Sequence, residues 1–176
     1  MEDALDTSIS LWKEHRYSEA LEIWRELADS GDAMSMYMIG AMYDDGTGVE
    51  KDLSQAFYWF DKASEFGAVG AHYCIGSMYY RGDFVQQDFE KAAHRYKLDA
   101  DQDYPLAQYS LGYMYEFGEF FKKDLVTAAI WYSLAADHGI EDAKKGVKRV
   151  MPTLTSGERA AVHASCVKWL KNFNAD

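Results

Sequence analysis

Residues 33–67 read AMSMYMIGAMYDDGTGVEKDLSQAFYWFDKASEFG, and their pattern returns 36 positions later and again 36 after that. Gly40, Gly76 and Gly112 fall in one column, Gly46, Gly82 and Gly118 in another, and Asp52, Asp88 and Asp124 in a third. Tyr37, Tyr73 and Tyr109 share a column, as do Met42, Met78 and Met114, and Tyr43, Tyr79 and Tyr115. Ala20, Ala56, Ala92 and Ala128 carry the period back toward the N-terminus, and Trp24, Phe60, Tyr96 and Tyr132 form an aromatic column. A fixed period of this length over several units is the signature of a repeat array.

Each unit reads as two helices. Met36, Ile39, Gly40 and Tyr43 follow the three- and four-residue spacing of one helix face. Gly46 is placed to end that helix in the left-handed conformation. Asp52 is placed to cap the next, accepting its first free N–H groups. Ala56, Trp59, Phe60 and Ala63 form the stripe of that second helix, which stops at Gly67. The small residues at Gly40 and Ala56 would let the two backbones approach, and Tyr43 and Phe60 would fill the space between successive pairs.

The second unit, A-x-Y-x-I-G-x-M-Y-x-x-G over Ala71–Gly82, with the aspartate and the Ala and aromatic columns that follow, resembles the Sel-1-like repeat, a relative of the tetratricopeptide repeat. The resemblance covers about residues 17–150. It implies an all-α fold, a right-handed α-solenoid of antiparallel helix pairs, and an adaptor or scaffold of bacterial type that binds other proteins. We divide the chain, as one repeat domain, into a starter pair (1–31), repeats at 32–67, 68–103 and 104–139, a closing helix at 140–150 and a capping helix at 155–173. Two departures stand out. Where the first inter-helix loop has Gly48, the later ones carry Phe84 and Phe120, so another backbone shape is expected there, because phenylalanine resists positive φ. Asp103 replaces the terminal glycine found at Gly31, Gly67 and Gly139. In the capping helix, opened by Thr155 and Glu158 as a capping box, Ala161, Ala164, Cys166, Val167 and Leu170 are the expected buried residues.

By the same resemblance, the variable positions of each first helix line a concave groove. They are Asp44 and Asp45, then Ser77, Tyr80 and Arg81, then Tyr113, Glu116 and Phe117, and finally Lys145 and Arg149. The stripe runs from acidic through aromatic to basic, and aromatic and Arg anchors are common in binding hot spots. A secondary candidate edge carries Phe84 and Phe120 beside Val85 and Phe121, with Val49, Val85 and Phe121 at a position that tucks inward. Met34 and Met38, off the repeated columns, are candidates to face the groove, whereas Met42 belongs to the core.

Charge and chemistry narrow the function. The 176 residues hold 29 acidic and 18 basic side chains, for a net charge of −11. The balance is −10 over residues 1–67, −4 over 68–139 and +3 over 140–176. It disfavours nucleic acid and anionic membrane surfaces and favours a protein or peptide partner with a basic region. Two cysteines, Cys74 and Cys166, without a paired spacing, suit reduced buried thiols in a reducing compartment, a bridge between them being the alternative. The acidic N-terminus lacks the layout of a signal peptide, so a cytoplasmic chain is expected. Five scattered histidines, an Asp44-Asp45-Gly46 run without further calcium ligands, and no phosphate-binding or nucleophile motif leave catalysis, metal and cofactor without a candidate. The expectation is a non-enzymatic interaction module, monomeric and without cofactor. An immunity or antitoxin-like protein and a structural subunit of an oligomer are the alternatives.

Overall fold

A computed structural model describes residues 2–173, the side chains from residue 4 onward. Among the described residues it is all helical: α1 (Glu2–Lys13), α2 (Tyr17–Asp29), α3 (Ala33–Asp45), α4 (Leu53–Glu65), α5 (Ala71–Arg81), α6 (Phe89–Ala100), α7 (Pro105–Phe117), α8 (Leu125–Asp137), α9 (Glu141–Val150), a 3₁₀ turn (Met151–Thr153) and α10 (Ser156–Phe173). The chain divides into two units, Met1–Gln86 and Gln87–Asp176.

In the first unit each helix packs on the next, from α1 to α5. Trp24, Leu21 and Leu27 of α2 meet Met36, Ile39 and Met42 of α3 in one cluster, and Ala56 and Phe60 of α4 meet Ile75 and Met78 of α5 in another. A Cβ on Gly40 would lie 2.8 Å from Phe60 Cδ1. The glycine therefore makes room for a ring of its own pair, and the expected approach of backbone to backbone gives way to glycine against aromatic. Met42 is 2 % exposed and Met34 46 %, while Met38 is half-buried and packs on the core.

In the second unit α6 packs on α7, α7 on α8, and α8 on both α9 and α10. Leu111, Met114, Tyr132, Leu134 and Val150 are nearly inaccessible.

The loops repeat the same hydrogen bonds. Gly46, Gly82 and Gly118 end α3, α5 and α7 at φ 80°, 76° and 76°, each donating its N–H to the carbonyl of Met42, Met78 or Met114. Asp52, Asp88 and Asp124 cap α4, α6 and α8 through side-chain oxygens, as expected. The expectation for the Phe positions fails. Phe84 (φ 66°) and Phe120 (φ 62°) keep the left-handed conformation of Gly48 (φ 73°). A left-handed glycine before and a capping aspartate after leave the loop one path, and its fixed ends outweigh a local penalty of about 1–2 kcal/mol. At Gly48 glycine is obligatory, because a Cβ there would come within 2.2 Å of Tyr17 Cβ. Asp103 is likewise left-handed, at φ 63°. Its carboxylate accepts from Gln108 Nε2 at 2.7 Å and lies 2.9 Å from His138 Nε2.

The capping helix requires a second correction. Thr155 and Glu158 form the capping box, with Glu158 accepting from Thr155 N–H at 2.7 Å. Of the expected buried residues only Cys166 is buried; Val162 joins it, while Ala161, Ala164, Val167 and Leu170 are exposed. Cys74 and Cys166 are free thiols.

Candidate binding face on the first helices

The residues nominated in the second unit converge on α7 and α9. Tyr109, Tyr113 and Phe117 stand four residues apart on α7, and Lys145 and Arg149 four apart on α9, so each set lies along one helix face. Tyr113 and Phe117 have ring centroids 4.5 Å apart, and Phe117 is 52 % exposed. The Arg149 guanidinium lies 6.0 Å from the Phe117 ring centroid, within cation–π range.

Under these groups lies a buried polar anchor. Glu116 is 5 % exposed and takes three hydrogen bonds: from Arg149 Nε at 2.5 Å, from Arg149 Nη2 at 2.6 Å and from the Tyr132 hydroxyl at 2.7 Å. The bidentate pair fixes the guanidinium plane. The Arg149 hydrogen bonds hold the Glu116 carboxyl below the usual carboxylate range against its burial, with help from Tyr132. Burial, and then the bond to Glu116, pushes the Tyr132 phenol well above its ordinary value.

Tyr132 is held from two sides. A Cβ on Gly112 would lie 2.7 Å from its Cδ1, and one on Gly146 would lie 2.7 Å from its Cδ2. Gly112 belongs to a repeated column. Gly146 belongs to none and was not singled out from the sequence. The buried state of Glu116 also lay outside the sequence reading, which placed its side chain in the groove. Lys145 reaches Asp142 at 2.8 Å in an exposed pair.

In the first unit the nominated residues are more scattered in character. Asp44 is half-buried and Asp45 exposed, with an Asp45 oxygen accepting from Thr47 N–H at 2.7 Å. Ser77 is buried, Tyr80 half-buried, and Arg81 exposed and paired with Asp83. Of the secondary edge, Phe84 is 56 % exposed and 5.8 Å from the Phe57 ring, and Phe120 is 51 % exposed and 5.0 Å from that of Phe121. Val49 and Val85 pack on the first unit's core, and Phe121 stacks on Tyr115 at 4.2 Å, so this position does tuck inward.

Among the described residues no three His, Cys, Asp or Glu side chains are grouped to hold a metal ion, and no helix is long and apolar enough to cross a membrane.

Comparison with known proteins agrees with this architecture. The model of the Sel1 repeat matches residues 33–65, 70–103 and 105–140. A Sel1 repeat protein from Oxalobacter formigenes is similar in structure, with a TM-score of 0.74 and 30 % identity, over 80 % of this chain and 58 % of that one. The protein c5321, described as a protective antigen present in uropathogenic Escherichia coli strains displaying an SLR fold, gives a TM-score of 0.60 at 21 % identity, over 88 % of this chain and 41 % of its own, and shows the fold alone. The chain thus spans less than two thirds of either protein. No curated protein matches it.

Proposed function

Because the chain belongs to the Sel1 repeat family, whose members are generally protein–protein interaction modules, we propose that it is a non-enzymatic adaptor or scaffold that grips a protein or peptide along its first-helix faces. One observation carries this reading. On α7 and α9, Tyr113, Phe117 and Arg149 are presented together above a buried carboxylate that fixes the arginine. Such pre-ordering lowers the entropy lost when a partner binds. Tyr113, Phe117 and Arg149 make the contacts. Glu116 is a positioning residue. Lys145 adjusts the rim, because its exposed pair with Asp142 opens at little cost.

Asp44 and Asp45 on α3, and Tyr80 and Arg81 on α5, are the corresponding contacts of the first unit. That unit carries 16 acidic and 6 basic residues, a net −10, against 13 and 12, a net −1, in the second. A basic region of the partner fits the first unit.

The test is recovery of partners from the native cell by wild type and by Tyr113→Ala/Phe117→Ala. We expect the double variant to lose affinity by about 2 kcal/mol, roughly thirtyfold, with its helical content and melting temperature near wild type. Undiminished recovery by a folded variant removes this face from consideration.

A further inference from the structure

We propose that the exposed corner formed by Tyr58 and Trp59 on α4 is a recognition site for an arginine side chain in a basic segment of the protein partner. The corner lies on a second helix rather than on the first-helix faces described above. It rests on that reading only for the basic character of the partner.

Two rings make the corner. Tyr58 and Trp59 stand edge to face, with centroids 5.4 Å apart and planes at 79°. Trp59 is half-buried and packs on the core of the first unit, which fixes it, while Tyr58 is 48 % exposed. Tyr58, Lys62 and the exposed C-cap residue Phe66 follow at intervals of four and so share one side of α4.

The chain itself shows which chemistry the corner takes, because a cation already sits there. The Lys62 ammonium lies 4.9 Å from the Tyr58 ring centroid and 5.5 Å from that of Trp59, both within cation–π range. It takes this place although Glu65 stands three residues on, the spacing at which Arg16 pairs with Glu19 in the same unit. Among the described residues Lys62 forms no ion pair. Its hydrogen bond to Tyr58, with Asp29 and Glu65 acting at longer range, holds the ammonium above the ordinary lysine range.

The surrounding charge favours a further cation. Lys62 is the one basic residue of α4, Asp29 and Glu65 outnumber it, and the first unit stands at −10. A guanidinium also suits the corner better than an ammonium. It is planar, stacks on aromatic faces and is more weakly hydrated. An incoming arginine therefore displaces Lys62, whose ammonium has Glu65 within reach on its own helix. Lys62 is a placeholder for the partner's cation.

The experiment titrates the full chain into a fluorescein-labelled Gly/Ser peptide carrying several arginines, followed by anisotropy, with lysine and glutamate counterparts. We expect the arginine peptide to bind about three- to fivefold more tightly than the lysine peptide, and the glutamate peptide not to bind. Tyr58→Ala, which changes no charge, should bring the arginine peptide down to the affinity of the lysine one at an unchanged melting temperature. Tyr58→Phe should keep the preference. Lys62→Ala should tighten binding by more than Lys51→Ala, which removes the same charge elsewhere in the unit. Equal affinity for the two cationic peptides, wild-type affinity in Tyr58→Ala, or equal effects of the two lysine variants would overturn the proposal. If weaker binding by Asp44→Asn/Asp45→Asn accompanies such a result, the basic partner of the first unit stands without this corner. Binding of neither cationic peptide removes both.

Discussion

At Phe84 and Phe120 the backbone takes a conformation that costs an L-residue with a Cβ about 1–2 kcal/mol relative to the right-handed region. Substitution series at these positions should therefore invert the usual ranking. Phe84→Gly is expected to be more stable than Phe84→Ala by about 1 kcal/mol, read from urea midpoints at constant slope. An alanine variant equal to or better than the glycine variant would show that the loop can leave this conformation. Gly112 presents the opposite case. Alanine is the better helix former by about 1 kcal/mol, yet its Cβ would press on the Tyr132 ring, and Gly146 blocks the ring's retreat. We expect Gly112→Ala to destabilise by about 1–3 kcal/mol. Gly157→Ala, with open space around the new methyl, should be neutral or stabilising in the same assay.

Helix ends and the buried polar network around Glu116 both respond to pH. Asp124 starts α8; its burial raises its pKa, but the hydrogen bonds from Thr127 and Val126 outweigh that and hold the carboxyl below its ordinary range. Removing this cap by Asp124→Ala should cost about 1 kcal/mol, seen as a lower melting temperature. In the α7–α8–α9 network the signs oppose each other. The folded state holds Glu116 below the ordinary glutamate value of about 4.3. Its contribution is complete above that value and is lost as pH falls through the lower folded one. Tyr132 is raised above the ordinary phenol value of about 10. Its contribution is complete below about 10 and is lost as pH rises through the higher folded value. Unfolding measured across pH should thus show Glu116→Gln flattening the acid limb and Tyr132→Phe flattening the alkaline limb. Unchanged limbs in both variants would mean that the network does not couple to folding.

On the scale of the whole molecule, charge is the organising quantity. The first unit holds −10 of the total −11. A basic partner region bound there should weaken by about tenfold or more as salt rises from roughly 0.05 to 0.5 M, because the screening length shrinks from well over 10 Å to a few ångströms. Binding that ignores salt would place the energy in the aromatic contacts alone.

Most of the architecture was legible in the sequence because a periodic fold writes itself periodically. The aromatic column Trp24, Phe60, Tyr96 and Tyr132, the left-handed glycines 46, 82 and 118, and the capping aspartates 52, 88 and 124 each answer a local need of helix start, stop or packing. Such needs repeat with the chain and show as spacing. What depends on a neighbour from another helix did not show. The carboxylate of Glu116 reads as a groove residue until Arg149, 33 positions on, and Tyr132 close over it. Gly146 belongs to no repeated column, and only the Tyr132 ring that presses on it gives the glycine its reason. On α10, Val162 and Cys166 are buried while Val167 and Leu170 are not, and the side that meets α8 is set by Cys166 against the Ile130 carbonyl and Trp169 against Trp131. Phe84 and Phe120 read as a change of loop shape, yet tertiary anchoring at both loop ends imposed the shape that glycine would have taken freely. The sequence by itself thus determined the helices, their pairing and their period, which are set by local backbone chemistry. The tertiary structure alone decided which polar and strained residues face inward, because that cost is met only by groups brought in from elsewhere in the chain.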